Sequence, residues 1–169
     1  MSLMAMDTRT GMPESMVGYK SVSKTVSRET GEALYSPLWH ASLLGQNGNL
    51  CRMKVPIRCG WAYDGMSTIK ARDGEWYPAG VHVCETIDDA LAMMPAPEGT
   101  GHRRRYAVVK VYARGPLASG WQYSLSGRSV HRCSVWKEII ILEEVDTCNV
   151  TGEMERTRTG SANCSLEQP

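Results

Sequence analysis

Residues 80–94, GVHVCETIDDALAMM, carry the clearest structural signal in the chain. Residues 80–84 include the β-branched Val81 and Val83 and follow the turn-like WYPA, a pattern that predicts a short strand. Thr86 then stands where a helix N-cap belongs, with Asp89 three residues later at the spacing of a capping box. Apolar residues recur at i, i+3, i+4 and i+7, which predicts a helix over 87–94 with one apolar face: Ile87, Ala90, Leu91 and Met94.

Further strands are predicted on both sides of this segment, where β-branched and aromatic residues lie between Gly, Pro and Asn. They are MVGYKSVSKTV (16–26), NLCRMKVPI (49–57), RRYAVVKVYARG (104–115) and KEIIILEEV (137–145). In the third, alternation places Ala107, Val109, Val111 and Ala113 on one face, which we expect to form core. Residues 138–142, EIIIL, are apolar on both faces, which favours a central strand. The fold class is therefore α+β: a mostly antiparallel sheet with one or a few short helices.

The length of 169 residues predicts a single domain. Both ends are rich in Thr, Ser, Gly and charged residues, with little to bury. We therefore expect a flexible N-terminal segment (1–15), one folded domain (16–145) and a flexible C-terminal tail (146–169).

The charge balance is close to neutral: 19 Lys and Arg against 18 Asp and Glu, a net charge of +1. Such a chain has no overall field to attract nucleic acid or an anionic membrane, so nucleic-acid binding is expected only locally, at Arg103, Arg104 and Arg105. No apolar run has the length of a signal peptide or a membrane span. The six cysteines are therefore expected to be reduced thiols in a cytoplasmic protein.

Two His-x-Cys pairs, His82/Cys84 and His131/Cys133, lie in predicted strands or next to them. Residues i and i+2 of a strand share a face, so two imidazoles and two thiolates could meet around a tetrahedral zinc ion if the two strands were neighbours. Because the spacing matches no familiar zinc motif, no residue is assigned as a metal ligand. Buried strand cysteines that serve only packing are the alternative.

Two resemblances extend this interpretation. The segments GYKSVSKTVSRETGEALYSP, WYPAGVHVCETIDDAL, YAVVKVYARGPLASG and IIILEEV resemble, in that order, a group of small phage and bacterial domains of unknown function. The resemblance covers most of residues 17–145. It implies a phage or bacterial origin and says little about activity.

The segments LWHAS (38–42), GVHVCETIDDA (80–90) and KEIII (137–141) also resemble motifs of poly(ADP-ribose) polymerases and related ADP-ribosyltransferases. That resemblance implies NAD as cofactor. It implies three catalytic residues: His40 on the NAD ribose, His82 in place of the family's stacking tyrosine, and Glu138 orienting the acceptor. Ser42 and Gly80 would bind the cofactor.

These candidate residues also have structural interpretations. Asp88 and Asp89 lie where the positive end of a helix dipole stabilises a carboxylate, by roughly 0.3–1 kcal/mol. His40 fits a loop anchor, and Glu138 fits a charge that guards a sheet edge. The leading expectation is therefore a non-catalytic accessory or binding domain with a protein or nucleotide partner and no membrane association. The alternatives are an ADP-ribosyltransferase-like enzyme and a Cys/His metal-binding domain.

Overall fold

The computed structural model of the protein describes residues 3–7, 11–37, 51–58, 68–94, 105–124 and 126–146. In chain order these form strands β1 (Ala5–Met6), β2 (Ser15–Val26), β3 (Ala33–Pro37), β4 (Pro56–Arg58), β5 (Thr68–Lys70), β6 (Trp76–Pro78) and β7 (Val81–Cys84). Helix α1 (Ile87–Ala92) and strands β8 (Arg105–Tyr123) and β9 (Val130–Val145) follow. The described part of the chain is thus mostly antiparallel sheet.

Strands β2, β7, β8 and β9 close into a ring. β8 pairs with β2 on one side and with β9 on the other, and β9 pairs with β7. One residue pair, Tyr19 opposite Cys84, joins β7 back to β2 and completes the circuit. Outside the ring, β3 pairs with β2 and β4 pairs with β9, both antiparallel. An isolated bridge joins Tyr35 of β3 to Cys51, which precedes β4.

Two apolar clusters occupy the two sides of this ring. Every ring strand contributes to the inner cluster, whose largest fully buried side chain is Trp136. It contains all four residues of the predicted core face, Ala107, Val109, Val111 and Ala113, each exposed by 5% or less. The outer cluster lies beneath α1 and β6 and includes Ala90, Tyr77, Cys84 and Cys133. The alternation of the third predicted strand is therefore confirmed, and the sheet is buried in part on both sides.

Helix α1 begins as predicted and ends early. Thr86 is the N-cap, and its Oγ1 accepts a hydrogen bond from the Asp89 backbone N–H at 3.1 Å. The helix stops at Ala92 rather than Met94, because the Met93 and Met94 N–H groups bond to the Ala90 and Leu91 carbonyls, three residues back, in a tightened last turn. This turn buries Met93, at 6% exposed, whereas Leu91 of the predicted apolar face stays half-buried.

Two segments differ from the predictions. Residues 49–57 were expected to form one strand; of residues 51–58, which the structure describes, only Pro56–Arg58 forms β4, because a turn at 53–55 with Lys54 at φ 63° interrupts the extended backbone. The N-terminal segment expected to be flexible contributes β1 and a fully buried Leu3, whose N–H donates to the Tyr77 hydroxyl at 2.9 Å. The C-terminal residues 147–169 lie outside the described part of the chain.

The strands β8 and β9 extend well beyond their predicted ends and form a long hairpin. We call its outer part, residues 118–124 and 126–135, the distal hairpin. Gly120 makes close pairing with β1 possible there, since a Cβ at this position would overlap the Ala5 carbonyl oxygen. This unpredicted element carries Trp121, Tyr123, Ser129 and His131, the main side chains of the candidate site.

Candidate functional site

Of the residues proposed for NAD chemistry, His82 and Glu138 lie on different strands of the described structure. His82 lies opposite Val135 on the pairing of β7 with β9, and its ring centroid is 6.1 Å from that of Tyr77. Glu138 lies three residues further along β9, where its carboxylate binds the guanidinium of Arg114, with Nε 2.6 Å from Oε1. The two side chains thus have different partners. His40 and Ser42 lie outside the described residues, so the roles that the transferase resemblance implies for them stay predictions.

Glu138 and Gly80 are both buried. Glu138 is 7% exposed and lies between β8 and β4, so it does not guard a sheet edge as its alternative interpretation proposed. Gly80 is buried, and a Cβ there would come within 2.6 Å of Val135 Cγ1 and 2.8 Å of the Trp136 carbonyl oxygen. Close packing therefore accounts for glycine at position 80.

The two His-x-Cys pairs lie on neighbouring strands, and their cysteines meet. Cys84 is directly opposite Cys133, with the two sulfurs 3.6 Å apart and both side chains buried. Because the strands are antiparallel, His82 and His131 lie on opposite sides of this thiol pair instead of beside each other. Within the described residues, no three His, Cys, Asp or Glu side chains are placed to hold a metal ion.

The electrostatics near the thiols favour uncharged groups. The hydrogen bond with Cys84, followed by burial, raises the pKa of Cys133 well above its usual value. Burial lowers the pKa of Lys20, whose Nζ donates to the His82 carbonyl oxygen at 2.8 Å. Thiols whose pKa is raised are poor nucleophiles, since the thiolate is the reactive form. Cys133 therefore fits a packing role better than a chemical one.

A chain of hydrogen bonds links α1 to the distal hairpin through His131. Asp89 Oδ1 lies 2.7 Å from His131 Nδ1, and His131 Nε2 lies 2.6 Å from Ser129 Oγ. The N-cap hydroxyl of Thr86 donates to the other oxygen of Asp89, Oδ2, at 2.7 Å. We call Asp89, His131 and Ser129 the relay. Ser129 is exposed, whereas the side chains of His131 and Asp89 are 16% and 22% exposed.

The relay face of the distal hairpin packs against the domain. Residues directly opposite on paired strands share a face, so Gln122 lies on the same face as His131. Ala118 and Cys133 of that face belong to the outer cluster, and Gln122 is only 4% exposed.

The other face of the distal hairpin exposes large side chains. Trp121 and Tyr123 are two residues apart on β8, and Val130 lies directly opposite Tyr123. Their exposed fractions are 37%, 38% and 43%. The guanidinium of Arg72 lies 5.6 Å from the Tyr123 ring centroid, in cation–π contact. We call Trp121, Tyr123, Val130 and Arg72 the aromatic face.

Neither the relay nor the aromatic face was identified as a site from the sequence. The alternation of apolar and polar residues in GWQYS (120–124) could have signalled a strand. Arg103 and Arg104, the local nucleic-acid candidates, lie outside the described residues, and Arg105 is the first residue of β8, opposite Lys24.

Comparison with known proteins gives no family assignment: no family model, no curated protein and no solved structure matches the chain. In the described part of the chain, no helix has the length and apolar character needed to cross a membrane. Any function must therefore be argued from the side chains themselves.

Proposed function

We propose that this protein is a binding domain that docks a protein partner through the aromatic face. The single observation that supports it most is the exposure of Trp121, Tyr123 and Val130 together on one side of the distal hairpin. Tryptophan, tyrosine and arginine are the residue types that most often dominate the binding energy of protein interfaces. Here all three types are adjacent.

The rigidity of the hairpin supports the same proposal. Its opposite face is fixed to the domain by Ala118 and Cys133, and β1 pairs with β8 at Trp121 and Gly120. Side chains on a fixed backbone lose less conformational freedom on binding than side chains on a mobile loop. The aromatic face is therefore prepared for contact before a partner arrives.

The charges define the chemistry of the partner. Arg72 is exposed and stacked on Tyr123, so a carboxylate of the partner can reach its guanidinium while apolar side chains cover the rings. A net charge of +1 gives no general attraction for a polyanion, which favours a protein over a nucleic acid.

The proposal keeps the expectations of an α+β domain, of a phage or bacterial origin and of a cytoplasmic location.

Affinity capture with matched variants tests this function. The tagged full chain is incubated with a bacterial lysate, and captured proteins are quantified by mass spectrometry. We expect a partner that is enriched by the wild type and lost by the double variant Trp121→Ala, Tyr123→Ala, with a smaller loss for Arg72→Ala.

Trp76→Ala is the matched control, since Trp76 is 63% exposed in β6 and is not part of the aromatic face. It should capture the partner as the wild type does. The same set of captured proteins for the double variant and the wild type, or no enriched protein at all, would show that this face has no docking role. Circular dichroism on each variant checks that the domain remains folded.

A further inference from the structure

We propose that Ser129 is a nucleophile and that the relay gives this protein hydrolytic activity toward short acyl esters. This activity goes beyond docking and uses a different surface. His131 lies on the face of β9 that holds Cys133, and Trp121 and Tyr123 project from the other face. The two proposals can therefore fail independently.

The relay has the connectivity that activates a serine. A nucleophile, a general base and a group that orients the base must be joined by hydrogen bonds, in any chain order and on any fold. The two bonds of the relay, 2.6 Å and 2.7 Å, engage the two different nitrogens of one imidazole. The base is thus positioned between its nucleophile and its orienting carboxylate.

The carboxylate of Asp89 sets the direction of the proton. An ionised carboxylate only accepts hydrogen bonds, so Nδ1 of His131 must carry the hydrogen that faces it. In a neutral imidazole Nε2 is then the lone-pair nitrogen, and the Ser129 hydroxyl donates to it. This is the tautomer that a general base needs to remove the Ser129 proton.

Both ends of the relay are fixed by the backbone. Asp89 lies in the first turn of α1 and is bound through its backbone N–H and its Oδ2 to the Thr86 hydroxyl. The Ser129 N–H donates to Ser124 Oγ at 3.2 Å, and the Ser129 carbonyl accepts from the Ser124 N–H at 2.8 Å. A nucleophile held in this way is oriented before the substrate binds, which lowers the entropic cost of reaction.

The reaction balances without a cofactor. Ser129 Oγ attacks the ester carbonyl carbon while its proton passes to His131 Nε2, and the alcohol leaves after taking that proton. Water then attacks the acyl-serine, releases the carboxylic acid and restores the Ser129 hydroxyl. Asp89 touches no reacting atom and acts as a positioning residue that stabilises the imidazolium formed in each step.

The exposure of Ser129 defines the substrate class. The hydroxyl is at the exposed end of the hairpin, so a compact ester reaches it directly from solvent. Short acyl esters meet this requirement, because they need little apolar surface for binding and their carbonyl is accessible.

Covalent labelling tests the nucleophile directly. The full-length protein is treated with an alkyl fluorophosphonate, from which Ser129 would displace fluoride to form a phosphonyl-serine. We expect one adduct per chain, mapped to Ser129 by peptide mass spectrometry. His131→Gln should slow the labelling of Ser129 by roughly 100-fold or more, as expected for loss of a general base. Ser129→Ala should abolish the adduct.

Two further variants separate catalysis from stability. Ser27→Ala alters a serine in the turn between β2 and β3, which has no contact with the relay, and should label at the wild-type rate. Asp89→Asn keeps the side-chain shape and should slow both labelling and hydrolysis of p-nitrophenyl acetate at least tenfold while the far-UV circular dichroism is retained. An unlabelled Ser129 in the wild type, or an equal labelling rate in a folded His131→Gln variant, would overturn the proposal.

Discussion

The hydroxyl of Tyr35 donates to Glu144 Oε2 at 2.9 Å, which ties the β3 side of the ring to the end of β9. Tyr35 is 1% exposed, and its ring belongs to the inner cluster. Burial, together with Glu144, raises the pKa of Tyr35 to about 12. The same carboxylate also pairs with the ammonium of Lys24, with Nζ 2.7 Å from Oε2. Glu144 of β9 thus binds side chains of both β2 and β3.

Tyr35 should make the fold sensitive to alkali. Its folded-state pKa lies above the ordinary value of 10.0, so its contribution is fully present below pH 10 and is lost as the pH rises toward 12. Deprotonation of this one group lowers the free energy of unfolding by at most about 1.4 kcal/mol per pH unit. Urea unfolding between pH 9 and 12 should show the loss in the wild type and a shallower one in Tyr35→Phe.

The matched control for Tyr35 is Tyr123→Phe, which changes an exposed phenol and should follow the wild-type curve. At pH 7 the Tyr35→Phe variant should be less stable by about 0.5–1.5 kcal/mol, because a buried hydrogen bond is lost. Parallel curves for Tyr35→Phe and the wild type above pH 10 would contradict the prediction.

Thr86→Ala should destabilise the domain by about 0.5–2 kcal/mol, because it removes the N-cap acceptor for the Asp89 N–H. The hydroxyl also holds Asp89 Oδ2, so the loss should exceed that of an isolated cap. Thr86→Ser keeps the oxygen and should recover most of the stability. Denaturant unfolding checks both variants, and equal stabilities for Ala and Ser at position 86 would show that the cap contributes nothing.

The facing thiols of Cys84 and Cys133 should be protected from alkylation. They are 5% and 1% exposed, and the hydrogen bond between the two thiols, followed by burial, raises the pKa of Cys133 well above its usual value. Mass spectrometry after iodoacetamide treatment at pH 8 should show both labelled roughly 100-fold more slowly in the folded than in the urea-unfolded protein, since reaction must await local opening. Similar rates in the two states would contradict the described burial.

Local pattern was sufficient for the start of α1 and for the core face of β8. Thr86 and Asp89 are close in sequence, and their capping geometry depends on three consecutive peptide units. Ala107, Val109, Val111 and Ala113 alternate without interruption, so their common face required no knowledge of the rest of the chain.

The distal hairpin could not be predicted from local pattern, because its strands pair with residues that are distant in the sequence. Proline usually indicates a turn, but a register shift between Pro116 and Ala118 lets β8 stay paired with β9 beyond Pro116. Asp89 and His131 are 42 positions apart, and the pairing of β7 with β9 helps to bring α1 close to the hairpin. Sequence pattern shows neither the pairing nor its register.

Gly120→Ala should detach β1 from β8. A Cβ at position 120 would overlap the Ala5 carbonyl oxygen and approach Leu3 Cδ1 to 3.1 Å, so the N-terminal segment must move away.

Movement of this segment would break the hydrogen bond from the Met4 N–H to the Trp121 carbonyl oxygen, at 2.6 Å, and uncover Leu3. Loss of a fully buried leucine from its cluster costs about 2–5 kcal/mol, the range seen when such a side chain is truncated. We therefore expect lower stability and faster hydrogen exchange at Met4, with a smaller increase at the amides of β2 and β9, which keep their own pairing with β8. Gly11→Ala is the control, since a Cβ there meets no atom within 4 Å and should leave both measurements unchanged. Wild-type exchange at Met4 in Gly120→Ala would mean that β1 does not depend on the close approach at Gly120.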